Sequence, residues 1–173
     1  MTDIHQAHFL LTGVAAVEPG VLRLSFADGH EALVDLSSTI RRLRSLSALK
    51  DWKTFQRVSL DEWSRGVVFD GDDRLSLASD NLRAMSLEQS GEYSHQHVIA
   101  WMERHAMTLD RAACELGLSR RMLAYYRSGE KAVPRTVGLA MVGWEHLRPS
   151  SAARSASLTK SARRSGSHDL MAR

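Results

Sequence analysis

Arg120 and Arg121 stand side by side after Ser119, inside the stretch Leu109–Ser128 (LDRAACELGLSRRMLAYYRS). A guanidinium presents parallel N–H donors that match two acceptors on one rigid plane, and guanine O6 and N7 are such a pair. Met122 and Ala124 are apolar groups of a size to touch a thymine methyl. Tyr125, Arg127, Ser128 and Lys131 carry donors suited to phosphate oxygens, contacts that position a protein without reading sequence. These eight residues are the candidate contact set. Their chemistry is non-covalent recognition of double-stranded DNA.

Such groups need a rigid element to aim them, and the flanking residues supply one. Leu109–Leu116 and Arg120–Ser128 read as two short helices, with Gly117 where the first must end in a left-handed turn. Ala113 lies four residues earlier, where only a small side chain lets two helices cross closely. Leu116 and Leu118 bracket the turn. Thr108 and Ser119 are good N-caps, and Asp110 suits the positive end of its helix. Leu123 and Tyr126 face inward, which leaves Arg120, Arg121, Ala124, Tyr125 and Ser128 outward. Gly129 closes the second helix. Upstream, Val98, Trp101, Met102 and His105 make an apolar stripe at helical spacing. Downstream, Pro134 starts a helix that buries Val137, Ala140, Met141 and Trp144, and Pro149 stops it.

This pattern resembles the lambda-repressor-like, or Xre-type, helix-turn-helix family. Met107-Thr108-Leu109, Ala113, Leu116-Gly117-Leu118-Ser119, Leu123, Tyr126 and Gly129 stand where its fold-defining residues stand, and Lys131, Pro134 and Leu139-Ala140 match its next loop and helix. The resemblance implies a bundle of about five helices that binds operator DNA as a dimer. The family often has Gln where this chain has Leu109, so that phosphate contact is either missing here or supplied by another group.

The first ninety residues alternate and turn as strands do. Phe9–Val17 is apolar, Glu18-Pro19-Gly20 is a turn, and Val21–Phe26 places Leu22, Leu24 and Phe26 on one face. Asp28-Gly29 signals a hairpin into Glu31–Leu36. Ser37–Leu49 reads as one helix with Ile40, Leu43 and Leu46 inward. Its Arg41, Arg42 and Arg44 form a basic face, read as solvated surface. Trp52 and Phe55 precede strands at Arg57–Leu60, Gly66–Phe69 and Leu75–Ala78. Ser79 or Asp80 caps a helix through Leu87, and Ser90-Gly91-Glu92 is a linker. Taken in order, Leu22–Gly29, Val34-Asp35-Leu36-Ser37, Phe55/Val58, Gly66–Asp73, Leu75 and Ser79–Leu82 resemble the domain of unknown function 2442 family across roughly residues 8–88. Where that family usually has tryptophan in the late hairpin, this chain has Phe69. Similar proteins stand alone or precede a helix-turn-helix, and some occur beside toxin genes. The resemblance therefore implies an antitoxin role.

Charge divides the 173 residues. Residues 1–92 carry 10 Lys/Arg against 14 Asp/Glu, residues 93–148 carry 8 against 5, and residues 149–173 carry 5 against 1. An acidic front and a basic back point to a polyanion partner for the back. No stretch has the roughly 20 apolar residues of a membrane helix, and MTDIHQAHF lacks the pattern of a signal peptide. Cys114 is alone, excludes an internal disulfide, and reads as a small buried residue. A cytoplasmic location is the expectation.

Other chemistries lack their residues. His5, His8, His95, His97 and His105 do not fall at metal-ligand spacings. Asp70, Asp72 and Asp73 lack the bidentate glutamate of a calcium loop and read as a turn. There is no phosphate-binding glycine loop and no nucleophile elbow. No metal, no cofactor and no catalysis are expected.

The expected fold class is α+β: a small β-rich domain over 1–90, then an all-α lambda-repressor-like helix-turn-helix domain over 94–148, then a disordered basic tail over 149–173. The expected function is a sequence-specific DNA-binding transcriptional regulator, acting as a homodimer and in the antitoxin manner, with a toxin-like partner protein. The alternative is an interaction adaptor that neutralises a partner protein and binds DNA little.

Overall fold

The computed structural model describes residues 4–147. The stop at Pro149 and the basic tail lie outside the described residues. A 3-10 helix over Ile4–Phe9 leads into β1 (Leu11–Glu18), β2 (Val21–Phe26) and β3 (Glu31–Asp35), an antiparallel meander in the order β1-β2-β3. Opposed pairs Leu22↔Val34 and Leu24↔Ala32 put the apolar face of β2 inward. Leu22, Leu24 and Val34 are fully buried. The hairpin turns at Gly29, whose φ of +84° only glycine takes without strain.

The expected helix over Ser37–Leu49 is broken. α1 spans Ser37–Arg42, Leu43 is extended, a 3-10 helix covers Arg44–Lys50, and α2 covers Trp52–Phe55. The break lets Leu46 and Leu49 join Ile40 in the core, while Leu43 is left 41% exposed. A single straight helix keeps one stripe; here core contact outweighs local helix preference.

β4 (Val58–Leu60), β5 (Gly66–Phe69) and β6 (Asp72–Ala78) form a second antiparallel sheet in that order. α3 (Ser79–Gln89) follows, with Ala78 at its N-cap rather than the expected Ser79 or Asp80. Then come α4 (His95–Arg104), α5 (Leu109–Glu115), α6 (Arg120–Ser128) and α7 (Arg135–Leu147). Among the described residues no helix is long and apolar enough to cross a membrane.

The expected fold class is corrected. The strands do not form a β domain followed by a separate all-α bundle. They lie in two three-stranded sheets with helical segments before, between and after them. A three-stranded sheet this small cannot bury its face alone, so helices are drawn in to cover it. Phe9 at the end of the first 3-10 helix also reaches α4 and the end of α6. Phe9 lies edge-on to His95 of α4 with ring centroids 5.3 Å apart, and a methyl group on Gly129 would come within 2.5 Å of its Cζ. The architecture is mixed α+β.

Two hydrophobic clusters hold it. One gathers β1–β6 around Phe55, Phe69 and Leu82; the other gathers α4–α7 around Trp101, Leu123 and Met141. Within α7, Val137 and Met141 are buried as expected, Trp144 is half-buried, and Ala140 is exposed, turned away on the outer face. Cys114 is likewise exposed, because α5 turns Ala112 and Ala113 inward and Cys114 to solvent.

Candidate nucleic-acid interface

The corner between α5 and α6 is built from local chemistry. Gly117 takes φ +66°. Its N–H donates to Cys114 O at 3.1 Å and Leu118 N donates to Ala113 O at 2.9 Å. Those bonds satisfy the last carbonyls of α5. Ser119 Oγ accepts from Met122 N at 3.2 Å, and Thr108 Oγ1 accepts from Arg111 N at 3.3 Å, so both helices carry the caps expected of them. Leu123 and Tyr126 are buried, which fixes the rotation of α6. Gly129 ends α6 with φ +75°.

That rotation leaves Arg120 and Arg121 on the outside. Arg120 Nε lies 3.0 Å from Asp110 Oδ1, with both side chains more than two-thirds exposed. An exposed pair contributes about 0–1 kcal/mol, so a phosphate or guanine can take the arginine from it. Arg121 Nε donates to Tyr125 Oη at 2.6 Å. The Tyr125 ring also has Arg121 Cζ at 5.4 Å and Lys131 Nζ at 5.3 Å, both within cation–π range. Arg121, Tyr125 and Lys131 are therefore one cluster. Arg127 is exposed.

The other candidates sit less freely. Met122 packs partly against the helical core and Ala124 is half-buried, so each offers limited surface to a base. Ser128 Oγ donates to Tyr125 O at 3.2 Å and accepts from Glu130 N at 3.4 Å. Its hydroxyl serves the end of α6.

Two features had no signal in the sequence. One is the hold of Asp110 on Arg120 across the corner. The other is a cleft of about 380 Å³ beside the end of α6, where His8, His30, Arg83, His95, Glu130 and Lys131 are among the lining groups. Arg83 Nη1 and Nη2 donate to Asp28 Oδ1 and Oδ2 at 3.1 and 2.9 Å. Burial pushes the Asp28 carboxyl up, but these bonds and the His30 amide outweigh it and hold it low. Burial is the first cause that lowers His8, His30 and His95 below the ordinary histidine value; Arg83 adds to it at His8 and His30. Among the described residues no group of three or more His, Cys, Asp or Glu could hold a metal ion.

A pH dependence follows from the three histidines. Unfolded histidine takes its proton near pH 6.5, and the folded ones wait for a lower pH. Below about 6.5 the unfolded chain thus binds more protons, and stability falls as pH falls until the folded groups protonate too. Urea midpoints taken between pH 7.5 and 5 should decline through that window, less steeply in His95→Gln. A flat profile in the natural chain removes the effect.

No family model and no curated protein matches the chain. A solved structure does: that of "Putative DNA Binding Protein NE0471" from Nitrosomonas europaea ATCC 19718. It is 38% identical, the alignment covers 82% of this chain and 90% of that one, and the TM-score is 0.70. So wide a match takes in the strand-bearing front and the helical back together. The chain belongs to the family of that Nitrosomonas protein.

Proposed function

We propose that this chain binds double-stranded DNA and reads it with α6 in the major groove. The observation that carries the reading is the outward row on α6: Arg120, and the Arg121–Tyr125–Lys131 cluster, set beyond the Gly117 corner by two capped helices. The printed name of the Nitrosomonas relative supports DNA as the partner. Arg120 and Arg121 reach base edges; Tyr125, Arg127 and Lys131 hold phosphates.

The finer reading is a transcriptional regulator that works as a homodimer, since one recognition helix spans too few base pairs and two read a palindrome. Exposed Leu139, Val142 and Leu147 on α7 support a self-association face. An autoregulating antitoxin is the form the sequence resemblance favours. A partner-protein role has one observation of its own, Trp63, 74% exposed between β4 and β5.

The test is binding to the region upstream of its own gene against an unrelated duplex. Arg121→Ala should lower affinity for the specific site by about 1–3 kcal/mol and relax the preference. Equal affinity of the natural chain for both duplexes sinks sequence reading. Capture of a neighbouring gene product that Trp63→Ala abolishes would then favour the adaptor.

A further inference from the structure

We propose that the surface of α1, the following 3-10 helix and α2 is a second DNA contact, gripping the phosphate backbone without reading bases. Residues 37–57 carry Arg41, Arg42, Arg44, Lys50, Lys53 and Arg57 against one acid, Asp51. The segment is net +5 inside a front that is net −4 over residues 1–92, which leaves the rest of that front at −9. All six cations are exposed. Arg57 pairs with Asp70 at 2.5 Å. Asp51 is occupied: its Oδ2 accepts from Thr54 N at 3.2 Å and Thr54 Oγ1 at 3.1 Å. No described acid lies within ion-pair distance of Arg41, Arg42, Arg44, Lys50 or Lys53.

The five cations within 13 residues repel one another; Asp35 acting on Arg41 and Asp51 acting on Lys53 do not neutralise all five. A polyanion would. Arg41 and Lys50 flank a cleft of about 400 Å³ that also takes in Ser37 and the apolar Ile40 and Leu49. Low-dielectric walls beneath two cations and a hydroxyl strengthen the field at the place a phosphate would sit.

The observations favour a duplex over a membrane. Ile40, Leu46, Leu49 and Phe55 are spent in the core, and the exposed Leu43 and Trp52 do not make a continuous apolar face to enter a bilayer. They also favour a duplex over a single strand. Trp52, 36% exposed and stacked on Phe55 at 6.1 Å, is the one surface ring of this segment, where successive unpaired bases would need a row of them. This contact does not depend on α6.

The experiment measures affinity of the full chain for a mixed-sequence duplex across a salt series, for the natural chain and for Arg41→Gln/Arg44→Gln/Lys50→Gln. Loss of three phosphate contacts should weaken binding on any sequence and reduce the slope of log K against log salt by about 2–3. Unchanged slope and affinity overturn the proposal. So does a variant that keeps its duplex affinity but loses binding to phosphatidylserine vesicles. Should the triple variant fail to fold, Arg44→Gln/Lys53→Gln carries the same test, with a slope change of about 2. Failure of the α6 reading appears elsewhere: no preference between specific and unrelated duplexes, with the salt effect of the triple variant intact.

Discussion

Trp101→Ala should lower the free energy of unfolding by about 3–5 kcal/mol. Trp101 is 2% exposed at the centre of α4–α7, with Trp144 edge-on at 5.2 Å and His105 at 6.2 Å. At roughly 0.05–0.15 kcal/mol per residue, the four helices hold only a few kcal/mol in all. The loss is therefore enough to melt them, and the preference for a specific duplex should vanish as the helical circular-dichroism signal falls. Trp101→Phe separates packing from polarity. The indole Nε1 is buried with no hydrogen-bond partner among the described residues, so phenylalanine sheds an unsatisfied donor while it keeps most of the ring. Its cost should stay under about 2 kcal/mol. Equal losses for the two variants, by urea titration, would refute this account of the site.

Phe55→Ala is the counterpart in the other cluster, with a cost also of about 3–5 kcal/mol. Phe55 is fully buried against Phe69 at 5.3 Å. The two clusters share no residue, so the loss should fall on β1–β6. Hydrogen exchange is the measurement. Strand amides should lose about two to four orders of magnitude of protection, by the conversion of 1.4 kcal/mol per tenfold. Amides of α4–α7 should lose far less. An equal loss throughout would mean that the strands and α4–α7 open as one unit.

What was legible in the sequence was local. Gly117, Ser119 and Thr108 declare a corner and two caps through their own backbone chemistry, and each stands where its residue type demands. The inward face of β2 followed from alternation, and its turn into β3 from Asp28-Gly29. What was not legible depended on distant partners. The helix over Ser37–Leu49 breaks at Leu43 because the core wants Leu46 and Leu49, and periodicity alone does not record that demand. Cys114 and Ala140 read as buried from their chemistry, yet the rotation of α5 and α7 is set by larger neighbours. The fold class of a β-rich domain followed by an all-α domain failed because the strands split into two sheets interleaved with helices, an arrangement that strand and helix periodicity does not record. In the candidate site, outward Arg120 and Arg121 were predictable from α6 itself, whereas Asp110, Tyr125 and Lys131 as their companions required three dimensions.

The seat of Phe9 against Gly129 also sets a timetable. During synthesis Phe9 leaves the ribosome about 120 residues before the glycine it rests on, which at roughly 5–20 residues per second is on the order of ten seconds. For that interval the aromatic edge has no home, and the nascent front must keep it from straying onto other chains. The docking of Phe9 therefore waits until α6 and its closing glycine have been made.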